Sequence, residues 1–415
     1  MATLAERQGG DGAALRLAAL VGAIVVYGVA GAPAPASVGP AELAVGLGLL
    51  VAVGLRAPLW LGTGYLLRCP GATPAEIVAC LCLPLLLWLP LVRGSLMGWQ
   101  PTDIVRDVVP LGFLFLPLLL RRGLSARRAA GSGAVADLLA AALAAAGLAF
   151  AFRWWAHVAF GFAAVGDRTL AEGDLYLLNS AAVPFAAVWL TLQGLRRLFP
   201  ARGAGAVALG LVLGAAGLLC TGALAGAVHR AALGLVLGTI GLGVALRLRT
   251  APGDWRLVPV AGAGLLAAFG WAALGALSLV AEKTGEVGWN NRAAEAGAVL
   301  RQIGRSLPAF LLGDGWGALV ASPAVGNWRV SFTHNAASYF LVKTGLLGFV
   351  AATGYLAALL AESWPALRRR ADIALAALPS LAVALFLHTS YKYLCFGLLC
   401  TVLLLAAAKD ETPKN

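Results

Sequence analysis

Charge is scarce in this chain. Asp, Glu, Lys and Arg make up 12% of its 415 residues, while 60% are hydrophobic; soluble domains carry about a quarter charged residues. The two or three soluble domains that such a length suggests are therefore excluded, and residues 1–415 read as a single transmembrane domain. Acidic residues are missing from the middle of every predicted span, with Glu42, Asp137, Asp174 and Asp372 all near span ends. That argues against a proton-coupled transporter, which uses acids at membrane depth. No P-loop motif is present, so ATP hydrolysis of that type is not expected. The first outer loop, Gly31–Val38, contains no acid, which excludes an acidic metal site there. Cys69, Cys80, Cys82, Cys220, Cys395 and Cys400 show no metal-site spacing and, Cys69 apart, lie inside apolar runs; they read as small packing residues. Neither a metal nor another cofactor is expected. Nor is a cleavable signal peptide evident: Met1–Asp11 is polar, and the apolar run Ala13–Ala30 is long enough to be a retained first helix.

What the chain does have is a series of apolar stretches near the ~20 residues that a spanning helix needs. They predict an all-α polytopic membrane protein of about 12 helices, at 13–31, 38–55, 75–92, 104–120, 132–152, 174–195, 203–221, 229–246, 257–281, 333–361, 371–388 and 391–408. The break near Thr221–Arg230 fits either a loop or a re-entrant turn. The net charge is +12, from 31 Lys and Arg against 19 Asp and Glu. In this setting basic residues mark cytoplasmic loops rather than a nucleic-acid surface. Nineteen of the 31 fall on one side of the predicted spans, including the clusters Arg121–Arg128, Arg196–Arg202 and Arg368–Arg370. Both termini are then cytoplasmic.

Five of the remaining basic residues, Lys283, Arg292, Arg301, Arg305 and Arg329, fall in Glu282–Phe332, the one long hydrophilic loop, which this topology puts outside. Asn290–Leu307 reads as an amphipathic helix, with Ala293, Ala296, Val299, Leu300, Ile303 and Leu307 as its apolar stripe and the arginines off it. A Gly-rich turn, Gly313-Asp314-Gly315-Trp316-Gly317, follows. The next span then begins near Ser331-Phe332-Thr333-His334-Asn335, where Ser331 or Thr333 could cap it.

His334 stands out because a histidine at the outer N-terminus of a membrane helix can act as a general base near neutral pH; the same position also suits a histidine that only caps the helix. Arg230, directly after His229, lies near a membrane helix end, where an arginine either faces a polar cavity or snorkels to the interface. Arg292, Arg301 and Arg305 form either a solvated face or forks for phosphate oxygens. Trp289, Trp316, Trp328 and Tyr339 read mainly as interfacial anchors, one or two of which could stack on sugar rings.

The stretch Thr333-His334-Asn335-Ala336-Ala337-Ser338-Tyr339-Phe340, followed by Gly345-Leu346-Leu347-Gly348, resembles the His-Asn…Gly-Leu-x-Gly signature of the bacterial O-antigen ligase and O-antigen polymerase superfamily. Pro308–Gly315 is similar to the Pro-x-x-Gly-x-Gly stretch preceding it, Asn291-Arg292 to the arginine opening the loop helix, and Arg230 to a Ser-Arg-Gly step at a helix end. His229 replaces the usual Ser, and Lys343 stands where members often carry an acid. The resemblance implies a fold related to the all-helical GT-C-like glycosyltransferases, in a bacterial inner membrane with a periplasmic site. It implies a glycan donor on undecaprenyl diphosphate and, in the ligase branch, a lipid A-core acceptor. In the polymerase branch another lipid-linked glycan accepts. Transfer would be inverting and independent of metal and ATP. His334, Arg230 and Arg292 are then the expected catalytic residues. Arg301, Arg305, His229, Asn335, Gly313, Gly315, Trp316 and Tyr339 are expected to bind the diphosphate or glycan. A flippase for a lipid-linked glycan is the rival of another class; it should show a cationic cavity reachable from both sides, whereas here the unexplained basic residues gather outside.

Overall fold

The computed structural model describes residues 2–33, 38–68, 71–124, 132–157, 174–199, 203–227, 229–250, 291–388 and 390–408. The expected span 257–281, the start of the loop at 282–290 with Lys283 and Trp289, and Cys69 lie outside them. The helices are α1 (Ala2–Ala30), α2 (Pro40–Val53), α3 (Arg56–Gly62), α4 (Pro74–Leu83), α5 (Leu89–Leu96), α6 (Pro101–Leu124), α7 (Ser132–His157), α8 (Ala182–Leu198), α9 (Ala204–Gly226), α10 (Arg230–Thr250), α11 (Arg292–Ile303), α12 (Leu307–Leu312), α13 (Ala336–Ser363), α14 (Ala366–Arg369), α15 (Ala371–Ala382) and α16 (Leu394–Ala407). Apart from 257–281, each stretch expected to span contains a helix. Among the described residues six helices are long and apolar enough to cross a membrane, or seven if α2 and α3, bent by 80°, count as one span. This is an all-α multi-pass membrane protein.

Small residues bring the helices together, as expected where lipid removes the hydrophobic drive between them. Gly194 of α8 lies against Gly210 and Gly214 of α9, and Gly217 lies against Thr191. At one end, polar ties join helix termini. Thr73 caps α4 in a reciprocal box with Glu76. Glu362 of α13 accepts from the Ala75 amide at 2.7 Å and from Arg121 of α6 at 2.5 Å. Asp372 accepts from Gln193 at 2.8 Å and from Arg196 at 3.1 Å, and Arg370 reaches both Asp372 and Asp137. The described cysteines are free and all but Cys82 are buried, which agrees with a packing role. Between α9 and α10 the His229 amide donates to the Leu224 carbonyl at 3.0 Å.

The loop differs from expectation in three ways. The predicted helix Asn290–Leu307 ends at Ile303, and Ser306 caps the separate short helix α12. The buried face of α11 is Glu295, Val299 and Ile303, while Leu300 and Leu307 are exposed. A small antiparallel hairpin, β1 (Val320–Ser322) with β2 (Trp328–Val330), turns at Gly326 and Asn327, both with positive φ. Val299, Val320 and Val342 form a small apolar cluster joining α11 and the hairpin to α13.

Helix α13 is broken at Gly345, with φ 65° and ψ −168°. The break frees the carbonyls of Val342 and Lys343, which accept from the Asp314 and Gly315 amides at 2.8 and 2.9 Å. Gly313, also at positive φ, passes so close to Gly345 that a Cβ on either would strike the other's backbone.

Candidate active site

The chemistry gathers where α11, the hairpin and the start of α13 meet. Glu295 lies in the first turn of α11 and is fully buried. A buried carboxylate is costly unless its oxygens are bonded, and here they are. Ser322 Oγ donates to Oε1 at 2.5 Å and the His334 amide donates to Oε2 at 2.9 Å. His334 Nδ1 lies 3.1 and 3.2 Å from the two oxygens. Burial alone would raise the Glu295 carboxyl, but these bonds outweigh it and hold it below the usual carboxylate range. The carboxylate is thus ionised and only accepts, so Nδ1 carries a proton and donates it to Glu295. The His334 side chain keeps 24% of its surface exposed, enough for a ligand to reach the ring.

His229 and His388 form a pair of imidazoles. Helix α15 runs into a π-helical turn, Val383–Leu387, that ends with the His388 amide bonded to the Val383 carbonyl at 2.9 Å. His388 then faces His229, with ring centroids 5.3 Å apart. His229, Arg292 and His334 all lie close enough to act electrostatically on His388. Arg292 opens α11 half-buried, and burial lowers its guanidinium while Glu295 pulls the other way. Arg230 opens α10 directly after His229, with an exposed side chain.

Other expected site residues have structural work instead. Trp316 is fully buried and donates to the Leu86 carbonyl at 3.1 Å, so it offers no face to a sugar. Gly313 and Gly315 are buried between α5 and α13; Gly313 accepts through its carbonyl from Arg93, and Gly315 donates to Lys343. Asn335, not Ser331 or Thr333, caps α13, accepting from the Ser338 amide at 2.8 Å. Arg305 is paired with the buried Asp314, which also accepts from Gln302 at 2.8 Å. Arg301 is exposed. Trp328 is 76% exposed, as an interfacial anchor would be.

Tyr339 belongs to a second, buried cluster. Its hydroxyl donates to Asp107 Oδ1 at 2.8 Å. Asp107, from the second turn of α6, also accepts from the Gly317 amide at 2.9 Å and pairs with Lys343. Lys392 lies 3.8 Å from Asp107 and 3.6 Å from the centre of the Tyr339 ring. Lys343 joins α6 to the Gly-rich turn.

Sequence reasoning missed Glu295, His388, Asp107 and Lys392. A signal existed for Glu295, an acid three residues after Arg292 on one helix face. His388 directly follows a long apolar run. Nothing in the sequence pairs Asp107 with Lys343, which are 236 residues apart.

The helices and this site define an all-α membrane protein that sets imidazole and cationic groups around a buried carboxylate at its helix ends. Comparison of the chain with protein-family models, with curated proteins and with solved structures returns no match.

Proposed function

We propose that the chain is a glycosyltransferase that moves a glycan from undecaprenyl diphosphate to a lipid A-core hydroxyl at the periplasmic face of a bacterial inner membrane. About 12 spans with both termini inside go with this reading, as does the resemblance of Thr333–Gly348 to the ligase and polymerase signature. The observation that carries it is His334, held at Nδ1 by Glu295 on the same helix that Arg292 opens.

Such a transfer needs two things from the protein. The acceptor hydroxyl must lose a proton, and His334 Nε2 is the free base for it. The departing lipid diphosphate gathers negative charge, which Arg292 and Arg230 stabilise as the sugar C1–O bond breaks. Arg301 and the exposed arm of Arg305 lie on the same loop for further glycan or phosphate contact.

The lipopolysaccharide profile of a deletion strain tests the proposal. Loss of all polymer on core identifies the ligase. Core capped by one repeat identifies the polymerase, which shares the same chemistry. An unchanged profile refutes both.

A further inference from the structure

The Glu295 carboxylate accepts three donors in the loop, and two of them come from one residue. Ser322 bonds Oε1, the His334 amide bonds Oε2, and His334 Nδ1 lies within reach of both oxygens. His334 itself sits between β2 and α13, in a stretch without regular structure. Phe332 lies edge-on to its ring, with centroids 6.0 Å apart. The imidazole's orientation therefore depends on a side chain 39 residues earlier. Glu295 is in turn placed by α11, whose first turn suits an anion, and by Val299 packed against Val320 and Val342.

We propose that Glu295 is the positioning residue of the transferase site: it sets the His334 tautomer and stabilises the imidazolium that forms during transfer. The inference rests on the transferase reading given above. The acceptor O–H proton passes to His334 Nε2. The acceptor oxygen forms the new bond to the sugar C1, and the C1–O bond to the lipid diphosphate breaks with its electron pair on phosphate. Glu295 stays ionised throughout and keeps the Nδ1 proton hydrogen-bonded. Without that carboxylate the ring can rotate, or take the other tautomer, in which Nε2 is protonated and cannot act as base. Arg292, three residues away on α11, is carried by the same helix. The base-orienting anion and the leaving-group cation thus share one rigid support.

The test is Glu295→Gln in the full-length protein, purified in detergent or nanodiscs. Gln keeps the volume and a hydrogen bond but offers one acceptor oxygen and a donor in place of the second. Expected are a fall in kcat of about 100-fold or more, the range of general-base loss, and a donor KM within about twofold of wild type by the same reasoning, since a uniform binding loss would leave kcat alone. Glu295→Asp should recover part of the rate. A readout free of activity is the side-chain 15N spectrum. The chain has four histidines, so the His334 signals are assigned by their loss in His334→Gln. Wild type should show the Nδ1-protonated form, and Glu295→Gln a shift toward the Nε2-protonated form.

An unchanged tautomer in Glu295→Gln overturns the proposal. So does a Glu295→Gln rate above one-tenth of wild type, a loss too small for a base-orienting role, when His334→Gln is inactive. If His334→Gln turns over at the wild-type rate, the transferase reading of this site fails, while the spectrum still decides whether Glu295 orients the ring.

Discussion

Replacing Asp107 by Leu should nearly abolish accumulation of the folded protein. The carboxylate is buried and answers Lys343, Tyr339 Oη, the Gly317 amide and, more distantly, Lys392. Breaking a buried ion pair from one side costs roughly 3–5 kcal/mol. The orphaned Gly317 amide adds about 1–3 kcal/mol. The sum is comparable to the whole stability of a typical domain, about 5–15 kcal/mol. The damage comes mainly from stranding the lysines, so removing them should reverse it. A triple variant, Asp107→Leu with Lys343→Met and Lys392→Met, should recover most of the loss, because apolar replacement of a complete buried ion pair is often neutral. The assay is the monodisperse fraction remaining after a temperature series in detergent, read by size exclusion. Wild-type behaviour of the single variant would refute the claim that this cluster holds α6, the Gly-rich turn and α13 together. A triple variant no better than the single would refute the stranded-charge argument.

Other outcomes follow from the site. His334→Ala should lower transfer by 10²–10⁴-fold with donor binding retained; a rate above about one-tenth of wild type is incompatible with general-base catalysis. Arg292→Ala and Arg230→Ala should each cost roughly 2–4 kcal/mol of transition-state stabilisation, with Lys a poor substitute because it lacks the planar fork; wild-type kcat/KM for either removes that residue from the site. Cysteine labelling should be placed at Ala321, which is exposed, rather than at the buried Ser322. Reaction of Ala321→Cys with an impermeant reagent in intact inner membranes opened only to the periplasm is expected, and labelling only after those membranes are breached inverts the topology.

How far the sequence speaks depends on whether a feature is local. Hydropathy located the helices because each must bury or expose its own surface, and α4 and α6 appear close to where their apolar runs begin. The placement of Arg292, Arg230 and His334 near helix starts was legible from the sequence. The facing of α11 was not. Its apolar stripe pointed to Leu300 and Leu307, yet both are exposed, because the helix turns Glu295 inward to partners 27 and 39 residues away. A buried charge reads as a surface residue until its partner is known. The same holds for Asp107, and for Trp316 and Tyr339, whose rings looked available for sugars but are enclosed by helices distant in the chain. His388 was hidden because a π-helical turn, which changes residue spacing, decides where it points.

The crossing of Gly313 and Gly345 bears on where this chain can grow. With the Val342 and Lys343 carbonyls tied to the Gly-rich turn, the path from Gly313 to Gly345 begins and ends at nearly the same point. An extra residue between Gly317 and Val320 would put the hairpin out of step with α11 and draw His334 off Glu295. The tip at Gly326–Asn327 is different, since it is exposed and lies beyond the last paired residues, Ser322 and Trp328. Added length there leaves the circuit intact. New recognition elements would therefore be grafted at that tip, where they can diversify without disturbing the residues that the loop closes upon.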